Sequence, residues 1–424
     1  MGDQGGSEQS RSVAVQHVIQ VEDFEPFIGS EAITRIQAKA RTLQDIHVVN
    51  FNSTYYGGGV AEILSSLTLL MNRLGIKTEW RVIQGTPDFF SITKKMHNAL
   101  QGGHINLTEL KSQIYEAVID ENAVRNYLDH DYVIVHDPQP LALIERYRKR
   151  SAWIWRCHIE LSRPHPELWA YLSRFIEKYD AAILSCPEYA QRITPPQLFF
   201  MPAINPFSIK NRRLSDAEMD ERLLHYRIPT DLPLIVQVSR FDPWKDPQGV
   251  VEAFRQARKE VEATLVLLGN FATDDPEGAA IYESLVGCRE ERILVLPYGD
   301  DSALVNTLQT RAAAVVQKSI REGFGLTVTE AMWKGTPVIG ANVGGIRYQI
   351  ENGVNGFLVS TIEETAARMV QLVKDVGLRT RIGQQARETV RRRFLLTRYL
   401  EQYLDLFGAF EAVFRLRYFP GASV

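Results

Sequence analysis

Short β-branched runs alternate with amphipathic helical stretches along most of this chain, and that alternation constrains the fold more than any other feature. In the first half, IHVVNF (from Ile46), WRVI (from Trp80), YVIVH (from Tyr132), WIWRCH (from Trp153) and AAILSC (from Ala181) read as strands. In the second half, LIVQVS (from Leu234), TLVLLG (from Thr264), ILVL (from Ile293), AAVVQ (from Ala313) and PVIG (from Pro337) read as buried strands. Between them lie helical patterns, the clearest from about Val60 to Leu74. Its apolar residues Val60, Ile63, Leu64, Leu67, Met71 and Leu74 keep the helical period, and Gly75 closes it. Strand–helix alternation predicts an α/β protein with parallel sheets.

A chain of 424 residues exceeds one ordinary core, so two domains are expected. A polar stretch from about Asn205 to Pro233 separates the two sets of strands. It contains a helix-capping start, Ser215 with Glu218 three residues on. The expected division is a flexible tail over 1–20, an N-terminal Rossmann-like acceptor domain over 21–205 and an interdomain connection over 206–233. A C-terminal Rossmann-like donor domain over 234–395 follows, then a helix within 396–424 that packs back on the first domain. No internal repeat is visible in the sequence. The resulting fold class is α/β, two facing Rossmann-like domains with a deep cleft between them. Ligands of such sheets sit beyond the carboxyl ends of strands.

Composition excludes several classes of function. A net charge of −3 gives no general attraction for nucleic acid or an anionic membrane. No apolar run approaches the ~18 residues of a membrane span. The start MGDQGGSEQS has no signal-peptide core. Cys157, Cys186 and Cys288 lack metal-ligand spacing, and reduced thiols in a cytoplasmic protein are the expected reading.

Polar motifs follow the strands. Gly57, Gly58 and Gly59 stand between IHVVNF and the Val60 helix, a strand–turn–helix arrangement suited to phosphate, although glycines also make any tight turn. Arg240 and Lys245 follow LIVQVS in the segment VSRFDPWK. Two cations at a sheet's carboxyl edge can carry the charge of a diphosphate leaving group. In SIREGFGLTVTEAMWKG, Glu322 and Glu330 stand eight positions apart. Gly323 and Gly325 lie between them, with a helix start that favours anions. Glu322 is expected before that helix and Glu330 about two turns into it, so the two carboxylates can hold different hydroxyls of one elongated ligand. A sugar nucleotide has that shape. In the first half, His136 and Asp137 end one strand, and Arg156, His158 and Glu160 end another. Two such histidines on successive strands suit a cleft, while a lone strand histidine suits a satisfied core. Asp274, Asp275 and Pro276 read as a helix start and not as a metal site.

These segments together resemble the retaining GT-B glycosyltransferases related to glycogen synthase and the sucrose synthases (family 4). YGGGVAEIL (from Tyr56), FFSITKKMHNALQG (from Phe89), VHDPQP (from Val135) and WIWRCHIELS (from Trp153) narrow the likeness to the trehalose glycosyltransferring synthases, from about residue 20 to 410. The resemblance implies transfer of glucose, with retention, from a nucleoside diphosphate glucose (ADP-, UDP- or GDP-glucose) to free glucose, giving trehalose. It implies that Arg240 and Lys245 hold the diphosphate, with the Gly57–Gly59 turn closing over it. Glu330 would bind the ribose. Glu322, with the amides near Gly323, Phe324 and Gly325, would hold the transferred glucose, and His158 would lie beside the reacting sugar. The acceptor glucose would meet Gln84, Lys94, His97, Asn98, His136, Asp137 or Arg156. No cofactor or protein-held metal is implied; stimulation by Mg2+ and a homodimer stay open. A trehalose phosphorylase of the same fold, a transferase with another acceptor, and a non-catalytic nucleotide-sugar sensor are the competing readings.

Overall fold

The computed structural model describes residues 18–55, 58–270, 276–287, 290–297 and 301–418. Twelve strands are formed among them: β1 (His47–Asn52), β2 (Lys77–Val82), β3 (Tyr132–His136), β4 (Ala152–Arg156), β5 (Ala181–Leu184) and β6 (Gln197–Phe199), then β7 (Leu234–Arg240), β8 (Thr264–Asn270), β9 (Ile293–Pro297), β10 (Ala312–Gln317), β11 (Val338–Ala341) and β12 (Phe357–Val359). They make two six-stranded sheets, ordered β2-β1-β3-β4-β5-β6 and β12-β11-β10-β7-β8-β9. Every neighbouring pair runs parallel.

Each sheet is covered on both faces, and the two-residue period of a strand explains how. In β1, Val49 and Phe51 enter one apolar cluster while Val48 enters the cluster on the opposite face. In β7, Val236 and Val238 enter one cluster and Ile235 the other. Chain order reverses once in each sheet, between β1 and β3 and between β7 and β10. Such a reversal leaves a crevice beyond the carboxyl ends of the two strands. The loops after β1, β3, β7 and β10 therefore carry the positions open to a ligand.

The helix Gly58–Arg73 follows β1, and the helix Asp216–His225 starts on the Ser215–Glu218 capping box read from sequence. The helix Pro276–Gly287 begins where expected, but Asp274, Asp275 and Cys288 lie outside the described residues. Two three-residue strands, β6 and β12, escape the sequence reading because three residues establish no period. β2 begins three residues earlier than expected. Its exposed Lys77 and Glu79 are tolerated on an edge strand.

After the second sheet, the helix Leu396–Tyr418 crosses back to the first. Leu396, Tyr399, Leu400, Tyr403 and Phe407 pack in one cluster with Val48, Ile134, Ile154 and Ile183. Arg156 shares a face of β4 with Ile154, so it too points at this helix. Its guanidinium donates to the Tyr399 hydroxyl (3.2 Å) and to the carbonyls of Phe200 (2.8 Å), Ile183 (3.2 Å) and Cys157 (3.2 Å). At 0% exposure it does not line the cleft, contrary to the acceptor-site expectation.

Arg156→Met is expected to destabilise the protein by about 3 kcal/mol, because several buried carbonyls lose their donor. An unchanged midpoint in urea unfolding would contradict this internal staple.

Candidate functional site

Two loops meet at the β7/β10 reversal. β7 ends at Arg240, and Asp242 starts a short turn by accepting the Trp244 N–H at 2.9 Å. The same carboxylate holds Arg240 Nη2 at 2.9 Å while half the arginine side chain stays exposed. Asp246 follows in the left-handed region, φ 48°, and caps the next helix through the Gly249 N–H at 3.0 Å. Its other oxygen pairs with Lys318 from the loop after β10. Ile320 N–H donates to the Trp244 carbonyl at 2.8 Å, which ties the loops together through the backbone as well.

The side chains finish the junction. Lys245 Nζ lies 2.5 Å from Glu322 Oε2, and that oxygen also accepts from Ser319 Oγ at 3.1 Å and Gln317 Nε2 at 3.4 Å. Glu322 is only 8% exposed, so these donors compensate a carboxylate largely removed from water. Gly325, φ 84°, turns the chain into the helix Leu326–Trp333. That helix starts later than expected, which makes Glu330 its fifth residue, little more than one turn in. Glu330 is buried, receives Gln309 Nε2 at 3.3 Å and lies 3.7 Å from Lys210 Nζ. First-turn amides of a helix have no partner inside it and favour anions. Arg240, Lys245, Glu322, Gly323, Phe324, Gly325 and Glu330 thus occupy one neighbourhood, with cations on one loop and amides on the other.

The first domain presents its own reversal to this junction. Gly58, φ 76°, opens the Gly58–Arg73 helix; Gly57 lies outside the described residues. A Cβ on Gly59 would stand 2.4 Å from Leu326 Cδ1, so this glycine lets the first domain come close to the start of the helix Leu326–Trp333. A Cβ on Gly323 would stand 2.5 Å from the His158 carbonyl oxygen. Tyr189 OH lies 2.8 Å from the carbonyls of both Glu322 and Gly323. Arg321 Nη1 pairs with buried Glu160 at 3.1 Å, and its guanidinium sits 5.9 Å from the Trp244 ring centroid. Lys210 joins Glu62 at 2.6 Å to the Glu330 side.

His158 is half-buried at the centre of this contact. Its backbone N–H donates to Asp137 Oδ1 at 2.7 Å, and its ring Nε2 lies 3.0 Å from His136 Nδ1. Asp137 holds the left-handed region, φ 61°, which is rare for a non-glycine residue. Burial pushes its pKa up to about 6, against the pull of the His158 N–H and Arg156. Burial lowers His136 to about 3 and His158 well below the usual histidine range, with Arg156 adding to both, so both rings are neutral. His97, on the helix Pro87–Leu100, is pushed down to about 3 by burial and by Arg240, Lys94 and Lys245. Arg240 and Lys245 of the second domain therefore act on a ring of the first. Lys94 and Asn98 flank His97 on the same helix. Gln84 is exposed and its Oε1 accepts from Arg125 at 3.0 Å, away from these groups.

Sequence reasoning missed Tyr189, Arg321 and Lys210. Each acts through a partner far away in the chain, and only Arg321, beside Glu322, stood near a motif. Among the described residues, no group of three or more His, Cys, Asp or Glu could hold a metal ion, and no helix is long and apolar enough to cross a membrane.

Residues 50–191 match the family described as trehalose synthase, N-terminal domain, and residues 221–389 match glycosyl transferases group 1. A trehalose synthase of Pyrococcus horikoshii is 44% identical over 92% of this chain and 96% of its own. A trehalose phosphorylase of Pleurotus pulmonarius is 26% identical over 87% of this chain and 58% of its own. In fold, the α,α-trehalose 6-phosphate synthase of Burkholderia multivorans superposes with a TM-score of 0.67 at 14% identity, covering 90% of this chain and 100% of its own. Two parallel sheets, the match to glycosyl transferases group 1 and the shared fold define a glycosyltransferase of the GT-B class. Within that class the chain belongs to the trehalose synthase family.

Gly323→Ala should force the Glu322 loop away from His158. A shift of about 1 Å can cost on the order of 100-fold in rate, and kcat/KM for glucosyl transfer is expected to fall by that order. An unchanged value would show that the close approach is dispensable. Asp137→Asn tests the strained turn differently. Asn tolerates positive φ and can still accept the His158 N–H, but it carries no charge. The raised Asp137 pKa means that wild type holds its full contribution below the ordinary carboxylate pKa of 3.8 and loses it as pH rises through about 6. The variant should therefore gain about 2 kcal/mol relative to wild type between about pH 4.5 and about pH 8. Equal differences at the two pH values would contradict the buried carboxylate.

Proposed function

We propose that this protein transfers glucose from a nucleoside diphosphate glucose to free glucose, forming trehalose with retention at the anomeric carbon. The observation that carries the reading is the convergence of Arg240, Lys245, Glu322 and Glu330 at one strand reversal, opposite His158. The diphosphate would meet Arg240, Lys245 and the amides around Gly323–Gly325, which favour the negative charge that grows as the glycosidic bond breaks. The ribose hydroxyls would meet Glu330, and the transferred glucose would meet Glu322. Acceptor glucose would enter from the His97 side, near Lys94, Asn98 and Asp137.

Donor and product are both α-linked, so the incoming hydroxyl attacks the face that the leaving group vacates. The departing phosphate oxygen can take the acceptor's proton as the bond forms. The protein then supplies position and charge, and needs no covalent nucleophile. The Arg321–Glu160 and Tyr189–Glu322 contacts support a role for closure in excluding water from the activated donor.

Incubation with glucose and ADP-, UDP- or GDP-glucose is expected to yield trehalose. In reverse, trehalose plus a nucleoside diphosphate should yield a nucleotide glucose. Glucose 1-phosphate formed only from trehalose and inorganic phosphate would instead establish phosphorolysis. Arg240→Ala is expected to lower kcat by roughly 10²–10³, the usual loss for one charge-stabilising group. Near-normal turnover would remove Arg240 from the leaving-group role.

A further inference from the structure

Three buried polar side chains form a row across adjacent strands of the first sheet. Asn50 lies in β1, His136 ends β3 and His158 follows β4, and these strands are neighbours. Asn50 Oδ1 is 3.0 Å from His136 Nε2, and His136 Nδ1 is 3.0 Å from His158 Nε2. Asn50 and His136 are each 1% exposed. The two imidazoles lie nearly parallel, 14° apart, with centroids 5.3 Å apart.

Neutral imidazoles in such a row give it a direction. Each ring carries one proton and offers one lone pair. An amide oxygen at Asn50 must receive the Nε2–H of His136. His136 Nδ1 is then a lone pair and must receive the Nε2–H of His158. His158 Nδ1 is left as a lone pair, with no protein partner among the described residues. Turning the Asn50 amide over would reverse every proton, and His158 would instead offer an N–H. Among the described residues Asn50 Nδ2 has no hydrogen-bond partner, and the amide meets the row at His136 through Oδ1. The difference matters for glucosyl transfer. A lone pair beside an oxocarbenium-like centre favours its positive charge, and an N–H opposes it.

We propose that Asn50 is a positioning residue. Its amide oxygen, acting through His136, fixes the Nε2–H form of His158 and presents Nδ1 to the reacting sugar as an acceptor. The consequence for rate rests on the transfer reading above; the proton arrangement does not.

Nitrogen-15 spectra of protein labelled in its nine histidines, with His158 assigned by His158→Gln, test this directly. The wild type, without substrate, is expected to show a protonated Nε2 and a bare Nδ1 at His158. Asn50→Leu should give a mixture of the two forms. It should lower kcat by about 10- to 100-fold, as loss of an outer partner does for site histidines elsewhere, with donor KM within about two-fold. A wild-type His158 protonated at Nδ1, or a single unchanged form in Asn50→Leu, would overturn the proposal. If Asn50→Leu fails to fold, the wild-type spectrum still decides. An inactive wild type with the expected spectrum would count against glucosyl transfer and leave the role of Asn50 standing.

Discussion

The Lys245–Glu322 ion pair is the contact on which the site depends. It joins the loop after β7 to the loop after β10 at the point where the strand order of the second sheet reverses. A carboxylate this buried needs donors, and Lys245, Ser319 and Gln317 supply them at one oxygen. The backbone bond from Ile320 to Trp244 and the Lys318–Asp246 pair fix the same two loops on either side. Charge stabilisation in an enzyme is worth most when the groups are already in place and water is excluded. Here the scaffold sets those positions before any ligand contributes.

The opposing domain completes the site through close approach and through the Arg321–Glu160 pair. A Cβ on Gly323 would meet the His158 carbonyl oxygen, and one on Gly59 would meet the movable end of the Leu326 side chain. That approach brings the His158 carbonyl against the Glu322 loop, and the Tyr189 hydroxyl bonds to the same loop from below the cleft wall. Asp137 accepts backbone strain to hold the His158 N–H, and the Asn50–His136 row holds its ring. Behind this wall, Arg156 and the last helix clamp β4 to β5.

Much of this was legible in the chain. Arg240, Lys245, Glu322 and Glu330 each follow a strong apolar run, so the carboxyl-edge rule located them without coordinates. The Gly58 turn was readable for the same reason. What the chain concealed are pairings between distant segments. Tyr189 meets Glu322 across 133 positions and Glu160 meets Arg321 across 161. Tyr189 carries no local signal, and Glu160, legible as a strand-end residue, gives no sign of its partner. Arg156 was misjudged because a charged strand end suggests a cleft, while its alternation with Trp155 turns it onto the last helix. β6 and β12 are too short to show a period. Gln84, an acceptor candidate only through the family resemblance, has its side-chain oxygen engaged by Arg125.

The proposed chemistry requires one diphosphate gripped at the β7/β10 reversal between two facing domains. A crystal structure with a nucleoside diphosphate bound decides this. Phosphate oxygens are expected within hydrogen-bond distance of Arg240, Lys245 and the Gly323–Gly325 amides, with ribose hydroxyls on Glu330. A nucleotide bound at any other strand end, or bound with Lys245 still turned only to Glu322, would contradict it.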